Sequence, residues 1–337
     1  MLATVGLIFA WGLVANGPSA VQAAPLEASH VAADAKWLIH VDLDAAHQSK
    51  VLDNIREHIL EHDWAKKGLA KLKDDLNLDP HADLHGLTMY GNSVKPKQHA
   101  GVLIVYGKLD KDKIVGSLKS KPDFKETTEG SNTLYSWTEE HGKDHKHPVV
   151  ASFPKDDMVV VAADASEVKS ALAVIGGGAG LPSGSPLLSE LPKGTIFQLA
   201  VAGVNSADLP DKVPPIVKQF EQIHVAIGEN DGNSFDHTKL DMASEETAQQ
   251  IGKIVEGYRA FGQLMEKSMP NAPRLIDAVK VSTSGKTVSI DWQASTDDVI
   301  KAADFIRAQI KEHGAEMKKL RDRLKERAKE KGEKDNN

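Results

Sequence analysis

Apolar and polar residues alternate in Trp37-Leu38-Ile39-His40-Val41-Asp42-Leu43. A period of two predicts a strand with Trp37, Ile39, Val41 and Leu43 on the core face and His40 and Asp42 on a solvent face, with Asp44 capping the next helix. Helical spacing then takes over: Val51, Leu52, Ile55 and Ile59 mark one helix, and Trp64, Leu69, Leu72 and Leu76 a second. Strands are predicted at 87–90, 102–106 and 134–137, a helix capped by Asp110 at 110–118, and a polar loop at 139–148.

One arrangement recurs three times: two strands joined by a tight turn, then a capping residue and a helix. Residues 149–153 and 158–162 flank Pro154-Lys155-Asp156-Asp157 and lead into Asp164-Ala165-Ser166-Glu167, a capping box, and a helix to 175. Residues 224–228 and 235–242 flank Asn230-Asp231-Gly232-Asn233 and lead through Ser244 into a helix marked by Ile251, Ile254, Val255, Tyr258 and Leu264. Residues 279–283 and 287–292 flank Ser284-Gly285 and lead through Thr296 into the last helix. The acids beside each cap suit the positive end of the helix dipole.

Between the halves, Gly176-Gly177-Gly178-Ala179-Gly180-Leu181-Pro182-Ser183-Gly184-Ser185-Pro186 reads as a flexible linker. It divides the chain into residues 24–175 and 187–314, each expected to be an antiparallel sheet with helices on one face. The fold class is therefore α+β, two related sandwiches built from repeated ββα units. A sustained βαβαβ alternation, which a doubly wound fold needs, is absent.

The last helix carries Val299, Ala303, Ile306, Ile310, Met317, Leu320 and Leu324 in steps of three and four, with His313 in the missing place. That seam suits a short coiled coil between copies of the chain, a homo-oligomer through the C-terminal helix. It also suits a helix docked up to Ile310 that continues as a solvated charged tail over 315–337. Residues 311–337 hold 10 Lys or Arg against 7 Asp or Glu.

Residues 1–23 hold no charged side chain, contain the run Leu7-Ile8-Phe9-Ala10-Trp11-Gly12-Leu13-Val14-Ala15, and end on Val21-Gln22-Ala23. An apolar stretch of that length before small residues reads as a signal peptide, too short for a membrane span of about 20 residues. Export to a periplasm or the exterior is expected.

Composition narrows the chemistry. The 337 residues suggest two domains, and an apolar content of 41% supports a folded core. A net charge of −7 offers no basic field for nucleic acid. With no cysteine, disulfides, thiol nucleophiles and thiolate-bound metals are excluded.

Histidine and carboxylate remain as ligands. In Asp79-Pro80-His81-Ala82-Asp83-Leu84-His85 two carboxylates and two imidazoles alternate. In an extended segment Asp79, His81, Asp83 and His85 project to one side and could hold a divalent metal. Asp79 before Pro80 equally suits one capped helical turn that scatters them. His141, His145 and His147 crowd a polar segment that could capture a metal weakly, against the interleaved lysines. His40, Asp42 and Asp44 have acid/base spacing. Ser166-Glu167-Val168-Lys169 matches Ser-x-x-Lys without its companion motifs. No Gly-x-Ser-x-Gly, His-Glu-x-x-His or phosphate-binding Gly-Lys-Ser/Thr loop occurs.

The segments Trp37-Leu38-Ile39-His40-Val41-Asp42-Leu43-Asp44, Asp83-Leu84-His85-Gly86-Leu87-Thr88-Met89-Tyr90-Gly91, Ile227-Gly228-Glu229 and Ser244-Glu245-Glu246-Thr247-Ala248 together resemble a family of exported bacterial proteins of unknown function. That resemblance implies a signal peptide and a duplicated α+β body over residues 35–310, with no reaction attached. The expectation is an exported, non-enzymatic binding or scaffold protein with an envelope or extracellular partner and no cofactor. The alternative is a divalent-metal-binding protein or metal-dependent hydrolase using the Asp/His cluster.

Overall fold

The computed structural model describes residues 25–95, 101–141, 145–204, 209, 213–269 and 272–313. Its strands are β1 (Trp37–Asp42), β2 (Leu84–Gly91), β3 (Val102–Gly107), β4 (Lys125–Glu129), β5 (Asn132–His141), β6 (His145–Lys155), β7 (Met158–Ala162), β8 (Thr195–Ala202), β9 (Phe220–Asn230), β10 (Asn233–Met242), β11 (Val279–Ser284) and β12 (Thr287–Ser295). Left-handed Asp231 and Gly232, with φ of 50° and 75°, form the tight turn that folds β10 back on β9. All twelve strands join one antiparallel sheet in the order β11-β12-β10-β9-β8-β1-β2-β3-β7-β6-β5-β4.

The helices are α1 (Leu43–Ala46), α2 (Lys50–Leu60), α3 (Asp63–Leu76), α4 (Pro80–Asp83), α5 (Lys111–Leu118), α6 (Ala165–Ile175), α7 (Glu245–Ser268) and α8 (296–313). The fold is α+β, but the sheet does not divide at 176–186. β1 pairs with β2 on one side and β8 on the other, so strands from both halves lie in one plane. The glycine-rich stretch is packed: Leu181 N–H donates to Ala28 and Val31 carbonyls, and Leu181 and Leu187 are buried. A Cβ on Gly180 would lie 2.8 Å from the Ser29 backbone, so only glycine permits this approach.

Helices cover both faces rather than the one expected. Leu38, Ile104 and Val160 point to a core shared with Val168, Ala171 and Leu172 of α6. Their neighbours Val41, Leu103 and Val105 point the other way, into a core shared with Leu43 and Ala46 of α1. Cross-strand partners Val159, Val105, Leu87, Val41, Phe197, Ile227, Asp236, Trp292 and Val279 form one row along that second face. α7 packs on the same face through Ala248 and Ile251 against Val288 and Ile290. α8 lies beside α2, where Arg307 donates to Asn54 at 2.6 Å.

Three local expectations are corrected. In the polar segment 139–148, residues 139–141 and 145–148 pair as the ends of β5 and β6, with Glu139 opposite His147 and Glu140 opposite Lys146, because the ladder satisfies the backbone without apolar side chains. The cap of α8 is Ser295, whose hydroxyl accepts from Asp298 N–H, while Thr296 is buried against Ser234. His40 and Asp42 are 5% and 8% exposed, since their side of β1 is covered too. Of the predicted coiled-coil seam, Ile306 and Ile310 are exposed; residues 314–337 lie outside the described residues.

One carboxylate ties the halves together. Glu229, at the end of β9, accepts from Ser49 Oγ at 2.7 Å and from the N–H groups of Lys50 and Val51, serving the open first turn of α2. Glu229→Ala is expected to lower unfolding free energy by about 1–2 kcal/mol, read as a shift of the urea midpoint at unchanged slope. An unchanged midpoint would contradict this role.

Burial pushes the Glu167 carboxyl on α6 from its ordinary 4.5 to about 7, the Asp164 charge adding to the shift. Between those values the folded chain holds a proton that the unfolded chain has released, so stability falls as pH rises through the window. Glu167→Gln should therefore melt close to wild type at pH ~5 and above it at pH ~8. Equal melting gaps at both pH values would refute the assignment.

Candidate apolar binding cavity

α3 and α5 stand over the valine-rich floor of β2, β3, β6 and β7 without filling the space beneath them. α3 ends at left-handed Asn77, φ 52°, whose N–H donates to Lys73, and this turns the chain back through Leu78 and Pro80. Asp110 caps α5 by accepting from Lys113 N–H at 3.1 Å. Between the helices and the sheet lies a cavity of about 690 Å³. Leu72, Leu76 and Leu78 line its helical side with Ile114 and Leu118, and its floor is Leu84, Leu103, Val105, Ala151, Phe153, Val159 and Val161. Leu72, Leu76, Ile114 and Leu118 are only half-buried, because they face this space instead of other side chains.

Polar groups gather where β5 and β6 pass the cavity. Lys121 Nζ pairs with Glu139 at 2.9 Å, Trp137 Nε1 donates to Glu139 Oε1 at 2.8 Å, and His147 sits opposite Glu139 across the ladder. All four line the cavity, as do Lys71 and Asp75 of α3. A space of this size, mostly apolar with a few polar groups, has the character of a small-molecule site.

The predicted metal ligands are placed differently. Asp79 caps α4 by accepting from His81 N–H at 3.1 Å, and its own N–H donates to Asp83 Oδ2 at 2.7 Å, so the turn occupies both carboxylates. His81 stacks on His47 with ring centroids 4.0 Å apart, and burial, then the Arg56 charge, lower its basicity. His85 Nδ1 bonds Asp44 Oδ1 at 2.9 Å. Asp44 is 1% exposed, and burial raises its carboxyl against the opposing pull of His85. The four side chains diverge because 80–83 is helical, and among the described residues no three His, Asp or Glu side chains form a metal site. The side chains of His141 and His145 lie outside the described residues; His147 belongs to the cavity.

The other candidates serve the fold. His40 Nδ1 bonds Thr88 Oγ1 at 2.9 Å in the core, and Asp42, rather than Asp44, caps α1 by accepting from Ala45 N–H at 2.8 Å. Ser166 Oγ donates to Asp164 at 2.6 Å while Lys169 pairs with Glu129 at 2.7 Å, so the two do not meet. The cavity was not anticipated. Its signal lies in residues 102–106 and 158–162, apolar at nearly every position as strands buried on both faces are, and in the leucine stripe of α3.

Among the described residues no helix is long and apolar enough to cross a membrane. No protein-family model and no curated protein matches the chain. Two solved structures align along most of it. Crystal form III of TP0453 is 11% identical with a TM-score of 0.44, over 83% of this chain and 98% of that one. Crystal form I of TP0453 is 10% identical with a TM-score of 0.40, over 84% and 97%.

Proposed function

We propose that this chain is an exported, non-enzymatic binding protein that holds an apolar ligand, an acyl chain or a molecule of similar shape, between α3, α5 and the sheet. The observation that carries the reading is the cavity of about 690 Å³ under half-buried leucines. A ligand burying about 300 Å² of apolar surface there would gain roughly 7 kcal/mol before ordering costs, which sets a Kd of about 10 μM as the tightest expected. Export is supported by the uncharged, apolar segment at residues 1–23. The body is read as three related ββα units, consistent with a scaffold that supports a site rather than a reaction centre. The occupation of Asp79 and Asp83 by a helical turn disfavours metal-dependent hydrolysis.

Titration of the purified chain with a fluorescent long-chain fatty alcohol tests this. Saturable binding with a Kd of about 10 μM or weaker is expected, and Val161→Trp, which fills the cavity from its floor, should weaken it about tenfold or more while unfolding stays cooperative. Leu72→Trp should do the same from the helical side. No saturable binding, or equal binding by both folded variants, would overturn the proposal.

A further inference from the structure

Helix α7 has an apolar flank that stays exposed. Ile254, Tyr258, Phe261, Leu264 and Met265, with Met269 just beyond the helix, are 41–73% exposed. The inner side is occupied: Gly252 lies against Thr283 of β11, Gln263 donates to Asp277 at 2.7 Å, and Ala248 and Ile251 join a core with Met242 and Val288. At about 100° per residue, Ile254, Tyr258, Phe261 and Met265 fall on the flank opposite Gly252 and Gln263, away from the β11 edge. That flank looks across β10 toward β9, where Ile227 is 43% exposed on the same face of the sheet. The heights agree as well. Trp292, in the cross-strand row of Ile227, donates to the Leu275 carbonyl, and Leu275 N–H donates to Glu266 of α7.

Two properties of this flank say what fits it. Its six side chains leave on the order of 600 Å² of mostly apolar surface in one stripe, the size of patch that marks an interface. A stable pair of proteins buries about 800 Å² on each side, which the stripe and its rim supply. The second property is the spacing. Positions 254, 258, 261 and 265 follow one another in steps of four, three and four, which read the same in both directions. Two antiparallel copies therefore set Tyr258 against the partner subunit's Phe261 and Ile254 against the partner subunit's Met265, the self-complementarity that a two-fold interface requires. The aromatic pair then lies at the centre, where binding energy concentrates, and the adaptable thioether lies outside it.

We propose that this chain forms a homodimer through α7, the two helices antiparallel across a two-fold axis between residues 259 and 260. Unlike a coiled coil through the C-terminal helix, this interface needs no residue beyond 313.

The measurement that decides it is sedimentation equilibrium of the purified chain at tens of micromolar. Wild type should have twice the chain mass, and so should a chain ending at Gly314. Tyr258→Asp together with Phe261→Asp should lower the association constant about a hundredfold or more, with unfolding still cooperative because both side chains are exposed. Phe261→Ser, a milder change, should lower it about tenfold. Wild type of single-chain mass would overturn the proposal, and its binding to phosphatidylcholine vesicles would assign the stripe to a lipid surface instead. A dimer that survives the double substitution, or that is lost on truncation at Gly314, would overturn it in favour of the C-terminal helix.

Discussion

The pairing of β1 with β2 and β8 is the constraint on which the rest of the molecule depends. Leu38 stands between Tyr90 and Ala200, and Val41 between Leu87 and Phe197, so one short strand joins the two chain halves into a single plane. A register slip of one residue would send Leu38 and Val41 to each other's faces and turn the whole apolar pattern over. With the register fixed, each face is continuous across the halves and must be covered. Glu229 then reaches from β9 to the first turn of α2, so a helix of the first half is capped by a strand of the second.

The two faces are covered differently, and the difference creates the cavity. On one, α6 presents Val168 and Ala171, almost wholly buried against Ile104 and Val160, at the close packing usual for protein interiors. On the other, α3 and α5 present larger residues that remain half-buried above small floor residues such as Ala151 and Val161. Apolar side chains facing unfilled space forgo dispersion contacts that a ligand can restore. α7 packs on the same face and leaves a stripe that includes Tyr258 and Phe261 exposed.

What was legible in the sequence was local. Asp110, Asp164 and Ser244 cap helices as their types require, and Asp231-Gly232 makes its turn. The α+β class followed from alternating and helical periods. Long-range consequences were not legible. Thr195–Ala202 was not expected as a strand, yet β8 is the seam of the sheet. Lys125–Glu129 has no apolar residue to announce an edge strand, because all five of its residues are exposed. His40 and Asp42 looked solvent-facing because a strand's pattern cannot say which loops and helices return to cover it. The cavity depends on how high α3 and α5 ride above the sheet, and that height is set by residues far apart in sequence.

The most direct test of the central claim is the content of the cavity in protein purified without detergent. Organic extraction and mass spectrometry should recover a long-chain apolar molecule in near-stoichiometric amount from wild type. Val161→Trp prepared identically should yield far less. Equal recovery from both proteins, or none from wild type together with no uptake of added amphiphile, would contradict a binding role for this cavity.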